Sequence, residues 1–245
     1  MAPPKRSSKL TIEAAIGQAL QLHKAGKRAQ AEAAYLAALE RAPNHPRALH
    51  FYGMWLHEQG RTDAAIAHLE RSLAAAPDDL QVENNLAGLY LLAGRADDAE
   101  RSFVGLVARA PDAVSSRFNL GVLYARSQRF VEAIRELEVA RALVVDADVL
   151  RELGDALIGA KRFEEGVAAH REALELAPND PQQKRNVCRA YSLLVDSLDR
   201  SVTDPEVAIA HLLRWLAIDP DDAIAQQTLA AYGGRAVPAG CSDDS

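Results

Sequence analysis

Apolar residues recur along this chain with the spacing of an α-helix, in short stretches that come in pairs. In residues 80–113 the first stretch carries Leu86 and Tyr90, and the second carries Ala99 and Phe103. Separations of three or four residues place such side chains on one face of a helix. A few small or polar residues separate the two stretches. The pattern therefore predicts a unit of two helices joined by a short bend.

This unit repeats at an interval of about 34 residues over most of the chain. Each copy ends with a proline that Asn or Asp follows, except the fourth, where Val145-Asp146 stands instead. The proline stops the preceding helix, and the Asn or Asp can cap the next one. The predicted repeats are 12–45, 46–79, 80–113, 114–146, 147–180 and 181–222, followed by a capping helix at 223–232.

Small residues occupy one position of the first helix in most copies, among them Gly53, Gly121 and Gly154. They would let paired helices approach closely, while large residues such as Tyr90 and Phe103 would fill the space between one pair and the next. We expect that enlarging a small position overpacks the contact, at a cost of roughly 1–3 kcal/mol.

The Leu, Gly or Ala, and Tyr positions of the first stretch, with the Ala, Phe and Pro positions that follow, resemble the pattern of the tetratricopeptide repeat family. The leading Trp of the family pattern is not kept in this chain. The resemblance covers about residues 12–232. It implies an all-α fold, a right-handed α-solenoid of stacked antiparallel helix pairs, over residues 11–232.

The two ends of the chain fall outside the repeats. Residues 1–10 are rich in Pro, Ser and Lys, and we expect them to form a flexible lead. Residues 233–245 are expected to be a disordered tail. The run from Leu229 to Ser245 resembles the junction at which bacterial tetratricopeptide arrays lead into an S-adenosylmethionine-dependent methyltransferase domain. That resemblance implies the recognition arm of a larger enzyme, or a shortened relative that does not itself turn over substrate.

Composition narrows the partners and the location. Apolar residues make up 49% of the chain and aromatic residues only 5%, which is typical of an alanine-rich helical stack. A net charge of −6 argues against nucleic acid or an anionic membrane as the main partner. The first residues do not look like a signal peptide, and the two cysteines, Cys188 and Cys241, fit a reducing compartment. We expect a cytoplasmic protein.

The sequence shows no catalytic motif. It has no phosphate-binding glycine loop, no nucleophile elbow and no paired-cysteine motif. His50 and His57 lie on one face of a predicted helix, where a metal pair is an alternative to a groove-lining role. We favour the groove-lining role, and we expect no enzyme activity, no cofactor and no metal.

One polar position recurs on the first helices. The residue before the small position is Asn in three copies, as Asn85, Asn119 and Asn186, whereas Phe51 and Glu152 interrupt the series. In the tetratricopeptide family this position faces the concave groove, and in O-linked N-acetylglucosamine transferases such asparagines hold an extended peptide by its backbone. An amide suits this role because it offers both a donor and an acceptor. The alternative is that only water contacts these amides.

Repeat spacing adds further positions to the predicted groove, aromatic or polar in the N-terminal half and basic in the C-terminal half. The added positions are His50, Phe51, Asn84, Phe118, Arg151, Arg185 and Arg189. We hypothesise that an extended segment with an acidic end lies along the groove, with its acidic part towards the arginines. The alternative is that the arginines pair with Glu152 and Asp155 on the same helices.

The resemblance thus implies a non-catalytic scaffold that binds an extended peptide or protein segment. Two alternatives stay open. One is the substrate-recognition arm of a methyltransferase or a glycosyltransferase. The other is a homo-oligomeric assembly protein that docks through the exposed apolar face of an end helix, with Trp215 and Leu216 as candidates.

Overall fold

The computed structural model describes residues 6–198 and 204–233, with side chains for 12–198 and 204–232. Every regular element in those residues is a helix, and there are thirteen. They are α1 (Arg6–Lys24), α2 (Arg28–Arg41), α3 (Pro46–Glu58), α4 (Thr62–Ala75), α5 (Leu80–Leu92), α6 (Ala96–Arg109), α7 (Val114–Arg126), α8 (Phe130–Leu143), α9 (Ala147–Gly159), α10 (Phe163–Leu176), α11 (Pro181–Ser197), α12 (Pro205–Ile218) and α13 (Ala223–Gly233).

Consecutive helices pack against each other as pairs, for example α3 with α4 and α9 with α10. Short bends, such as residues 59–61, join the two members of a pair, so the helices run antiparallel. The pairs then stack on their neighbours, as α4 does on α5 and α10 on α11. This confirms the predicted all-α architecture of stacked helix pairs.

The structure separates into two compact units, divided within α7 between Asn119 and Leu120. Unit 1, up to Asn119, has a core of stacked rings and leucines. The ring of Tyr52 lies 5.8 Å from that of Tyr35 and stacks on Trp55 at the same distance. Trp55 is only 4% exposed, so its indole belongs to the interior of unit 1.

Unit 2, from Leu120 onward, has its own core around Tyr191, Leu212 and Trp215. Trp215 is 3% exposed, and Leu216 is partly buried against the same cluster. These two residues are therefore wrong as the predicted docking surface for self-association. The helical period turns both side chains of α12 inward, where α11 and α13 cover them, and leaves Leu213 exposed.

Aspartates cap α5, α11 and α13 one position later than predicted. Asp79 accepts hydrogen bonds from the backbone N–H groups of Gln81 and Val82 at 3.1 Å, and thereby caps α5. Asp180 and Asp222 cap α11 and α13 in the same way. The residue that directly follows each proline lies in the turn, so the capping position passes to the next residue.

A left-handed residue closes the first helix of five pairs. Three of these residues are glycines, and two are not: Gln128 has a φ of 58° and Lys161 has a φ of 62°. The three glycines are Gly26, Gly60 and Gly94. A side chain in this conformation costs roughly 1–2 kcal/mol. The bends after α7 and α9 are therefore more strained than the three bends that use glycine.

The small positions of the first helices allow the close approach that the sequence predicts. A Cβ atom built on Gly53 would lie 2.2 Å from Leu69 Cδ1, and one on Gly121 would lie 2.6 Å from Leu137 Cγ. Contacts this short do not occur between real atoms. Glycine is thus required where α3 packs on α4 and where α7 packs on α8.

The N-terminal helix departs from the sequence prediction. The sequence analysis begins the first repeat at residue 12, but α1 begins at Arg6. Residues 6–10 contain neither Gly nor Pro, and they extend the helix at little cost. Residues 1–5 and 234–245 lie outside the described residues, as does the segment that resembles a methyltransferase junction beyond Gly233. The predicted boundaries of the repeats and of the two ends stay predictions.

No helix within the described ranges combines the length and the apolar character that crossing a bilayer requires.

Candidate functional site

The first helices of successive pairs carry the polar side chains that the sequence predicts for the site, and we call these residues the first-helix polar positions. In unit 1 they lie on α3, α5 and α7 and are His50, Asn84, Asn85 and Asn119. In unit 2 they lie on α9 and α11 and are Arg151, Arg185, Asn186 and Arg189. Each set is described within its own unit.

In unit 1 the amide of Asn85 binds the preceding repeat rather than standing free. Asn85 Nδ2 lies 2.9 Å from His50 Nε2, which is 35 residues earlier. The ring of His50 in turn stacks on Phe51, with 5.1 Å between centroids. Three of the predicted site residues thus form one contiguous cluster between α3 and α5.

The orientation of the Asn85 amide is coupled to the tautomer of His50. Burial lowers the pKa of His50, while Asp79 opposes this effect by raising it. His50 is therefore neutral at neutral pH. Because the amide nitrogen of Asn85 can only donate, His50 Nε2 accepts from it, in the tautomer that carries its proton on Nδ1. The carbonyl oxygen of Asn85 then points away from the ring and remains an acceptor.

A second asparagine of unit 1 also has a partner in the next repeat. Ser116 Oγ donates to Asn84 Oδ1 at 3.0 Å, which links α7 to α5. The side chains of Phe118 and Asn119 are partly buried on the same helix α7. Arg47 and Glu13 form an ion pair between α3 and α1 at the same one-repeat separation. Polar contacts between successive first helices are thus a regular feature of unit 1.

In unit 2 the side chain at the recurring asparagine position is held by a different contact. Asn186 is 6% exposed, and its Oδ1 accepts from Gln182 Nε2 at 2.8 Å. The carbonyl oxygen of Gln182 accepts from Arg185 at 2.6 Å. The sequence analysis missed Gln182, although its place four residues before Asn186 puts both on one face of α11.

The arginines of unit 2 are unequal as anion-binding groups. Arg151 pairs with Glu152 at 2.6 Å and with Asp148 at 3.3 Å. Arg189 pairs with Asp155, which lies on α9 rather than on its own helix. Arg185 is exposed, and its hydrogen bond goes to the neutral amide of Gln182. Of the three predicted arginines, Arg185 is the one whose charge no ion pair within the described residues offsets.

A basic residue stands at the N-cap of five second helices, a feature that the sequence analysis missed although it follows the repeat period. These residues are Lys27, Arg61, Arg95, Arg129 and Arg162. Arg95 lies 4.1 Å above the ring of Tyr90, and Arg129 lies 4.2 Å above that of Tyr124. Arg162 pairs with Glu165 in the first turn of its helix at 2.6 Å. Ring stacking and acidic partners explain the four arginines among these residues without a ligand.

Within the part of the chain that the structure describes, three potential metal ligands come together. The ligand atoms of Cys188, Asp219 and Asp222 lie within 4.8 Å of one another. Lys184 Nζ already lies 3.4 Å from Asp219, and Asp222 caps α13. Burial and the two carboxylates raise the pKa of the Cys188 thiol, which disfavours the thiolate that a metal needs. Structural roles therefore account for these three residues.

Comparisons with known proteins identify the repeat. Family models described as tetratricopeptide repeat match residues 16–79 and 56–116. A search of curated proteins gives no match.

Solved structures share the fold at low sequence identity. Pseudomonas aeruginosa pilF is 17% identical, with 92% of this chain and 99% of that chain covered and a TM-score of 0.68. MamA of AMB-1 is 25% identical, with 70% of this chain and 94% of that chain covered and a TM-score of 0.57. YrrB, described as a tetratricopeptide repeat protein with an unusual peptide-binding site, is 17% identical, with coverage of 73% and 90% and a TM-score of 0.60.

The two family matches cover the helix pairs of unit 1, and the solved structures share the architecture of stacked pairs. Proteins built from this repeat generally act as scaffolds for protein interaction, and this chain has the fold of such a scaffold. Residues 16–116 of this chain match the tetratricopeptide repeat family.

Proposed function

We propose that this chain is a non-catalytic scaffold, located in the cytoplasm, that binds an extended peptide segment at the first-helix polar positions. The observation that carries the proposal is the pair formed by Asn85 and His50. It fixes an amide on a first helix with its carbonyl oxygen available as an acceptor.

The chemistry of the cluster suits a peptide backbone. An extended segment presents backbone N–H groups, and the side-chain carbonyl oxygen of Asn85 can accept a hydrogen bond from one of them. Phe51 is partly buried, and its stacking against His50 supplies an apolar surface beside the amide. Asn84 and Asn119 extend the row of amides along α5 and α7 of the same unit.

In unit 2 we assign the acidic part of the segment to Arg185. Arg151 and Arg189 have intramolecular carboxylate partners, and an acidic ligand would have to displace these. Arg185 would exchange only a hydrogen bond to a neutral amide for a charge-assisted one. The proposal thus depends on one arginine rather than three.

The first experiment selects peptides from a random 12-residue library against the full chain and then measures their affinity by fluorescence anisotropy. The test variant combines Asn85→Ala, Asn119→Ala and Asn186→Ala. We expect it to lose at least about tenfold in affinity, because each amide removed takes about 1 kcal/mol of hydrogen bonding with it.

A matched control carries Gln30→Ala, Ser102→Ala and Gln227→Ala, which remove three neutral polar side chains outside the first-helix polar positions. Both variants are first compared with the wild type for helicity and melting temperature. If the control loses as much affinity as the test variant, or if the test variant binds like the wild type, the proposed site is wrong.

A second experiment isolates the role of Arg185. For selected peptides that carry acidic residues, Arg185→Glu should weaken binding, and the loss should shrink at high salt because exposed charges are screened. Arg135→Glu, an exposed arginine on α8, is the control for the change in net charge. Unchanged binding of every acidic peptide by Arg185→Glu would remove this part of the proposal.

A further inference from the structure

A cavity in unit 2 lies between α10, α11 and α12 and has a volume of about 320 Å³. Tyr191 and Leu194 line it from α11. At 100° of rotation per residue, they project between about 120° and 180° away from Arg185 and Arg189 on the same helix. The cavity is therefore a different surface from the proposed peptide site.

The floor of the cavity is apolar. Val167, Leu194 and the ring of Tyr191 line it, and all three side chains are buried. Such a floor favours an aliphatic group over a fully hydrated ion, because the ligand removes apolar surface from water.

The rim of the cavity is basic. Arg171 and Arg214 line it as exposed side chains from α10 and α12. The ring of His211 lies 6.4 Å from that of Tyr191. Its Nδ1 atom is buried and has no hydrogen-bond partner among the described residues. Two guanidinium groups and the His211 ring thus surround one opening.

Glu164 limits the net charge of the rim. With His211 neutral, two arginines and one glutamate leave a charge of +1. This charge matches a single carboxylate better than it matches a phosphate dianion.

We propose that this cavity binds a ligand with one carboxylate and an apolar side chain, such as the C-terminal residue of a peptide or a small organic acid. Arg171 and Arg214 bind the carboxylate, for which the planar guanidinium is geometrically suited. The ring of His211 lies at the same opening as the two guanidinium groups. The apolar side chain packs on Val167 and Leu194.

The test titrates the isotope-labelled full chain with N-acetyl-leucine and follows the imidazole signals of His211 by NMR. A His211→Gln variant assigns those signals. We expect a saturable shift with N-acetyl-leucine and none with N-acetyl-leucinamide, which lacks the carboxylate. No saturable shift, or equal binding of the amide, would overturn the proposal, as would equal binding of inorganic phosphate.

Variants separate the basic rim from nonspecific effects of charge. Arg171→Gln and Arg214→Gln should each weaken N-acetyl-leucine binding by about tenfold, because each removes a charge-assisted hydrogen bond. Glu164→Gln should strengthen binding, because it removes the carboxylate that competes with the ligand. Arg135→Gln, on α8 of the same unit, should bind like the wild type, and an equal loss in this control would contradict the assignment.

The peptide Gly-Gly-Ala-Leu, with a free or an amidated C-terminus, distinguishes the two sources of the carboxylate. Tighter binding of the free peptide than of N-acetyl-leucine would identify a chain terminus as the ligand. Binding of N-acetyl-leucine alone would identify a small organic acid. Binding of the amidated peptide as tightly as the free one would count against a carboxylate site.

Discussion

At the scale of single residues, the packing of glycine against a neighbouring helix decides which substitutions the fold tolerates. In Gly53→Ala the new methyl group would meet Leu69 Cδ1 at 2.2 Å and the backbone oxygen of Ala65 at 3.2 Å. Because Leu69 is fully buried, it has little room to move. We expect a loss of about 1–3 kcal/mol in the free energy of unfolding, measured in urea by circular dichroism.

Gly88 on α5 provides the matched control for this substitution. A Cβ atom there meets nothing within 4 Å. Gly88→Ala should therefore stabilise the protein by about 0.5–1 kcal/mol, because alanine loses less backbone freedom than glycine in a helix. Equal effects of the two substitutions would show that close helix approach is not the reason for Gly53.

The strained bends offer a prediction of the opposite sign. Gln128→Gly and Lys161→Gly should each stabilise the protein by about 0.5–1 kcal/mol. Removing the strain of a side chain on a left-handed backbone outweighs the extra conformational freedom that glycine has in the unfolded chain. Thermal and urea unfolding would measure the gain. Gly94→Gln, the reverse change at an equivalent bend, should destabilise, and a stabilising effect there would contradict the explanation.

At the scale of helices and their connections, the caps show what a sequence pattern can and cannot predict. The Pro-Asp pairs predict the end of one helix and the start of the next, because proline terminates helices for steric reasons that are local. They do not tell which of two adjacent aspartates turns its carboxylate onto the helix, since that depends on where the intervening turn ends. Asp78 lies in the turn, and Asp79 caps α5.

Adjacent aspartates also make the cap directly testable. Asp79→Ala should cost about 1 kcal/mol of stability, because α5 loses the acceptor for two backbone N–H groups. Asp78→Ala, one residue earlier and exposed, should change stability by less than about 0.5 kcal/mol. Urea unfolding of both variants measures the difference. A larger loss of stability for Asp78→Ala would show that Asp78, the residue that the sequence pattern favours, caps α5.

The candidate site was predictable to a smaller extent than the fold. Repeat spacing puts His50 one residue before the position equivalent to Asn85 on the preceding first helix, so their proximity follows from the pattern. Which atoms bind each other does not follow, because it depends on rotamers and on the protonation state of His50. The ion pair between Arg189 and Asp155 likewise crosses from α11 to α9, whereas the sequence alternative placed it within one helix.

At the scale of the whole molecule, one buried and one partly buried histidine make stability depend on pH. Burial lowers the pKa of His50 in unit 1 and of His211 in unit 2, where Arg214 lowers it further. Asp79 and Glu164 partly oppose these shifts. Between the ordinary pKa of about 6.5 and the lowered values, the unfolded chain binds more protons than the folded chain. Stability should therefore fall as the pH drops below about 6.5.

Urea unfolding at pH 8, 6 and 5 would measure this dependence. Replacing both histidines by glutamine should flatten the profile over this range, because the groups that titrate differently in the two states are gone. A profile that falls equally in the double variant, or one that rises towards acid, would contradict the assignment.

Asp155 extends the same trend to lower pH. Burial raises the pKa of its carboxyl group, but His170, Arg189 and Arg151 outweigh this effect and lower it. The contribution of Asp155 to stability is therefore lost below about pH 4.

The core of each unit contains one of the two tryptophans of the chain, Trp55 in unit 1 and Trp215 in unit 2. Intrinsic tryptophan fluorescence can therefore be assigned to unit 1 or to unit 2 without an added dye. In Trp55→Phe the remaining emission reports only on unit 2, and in Trp215→Phe it reports only on unit 1. Both indoles are almost fully buried, so a red shift of the emission marks the moment at which water enters the corresponding unit.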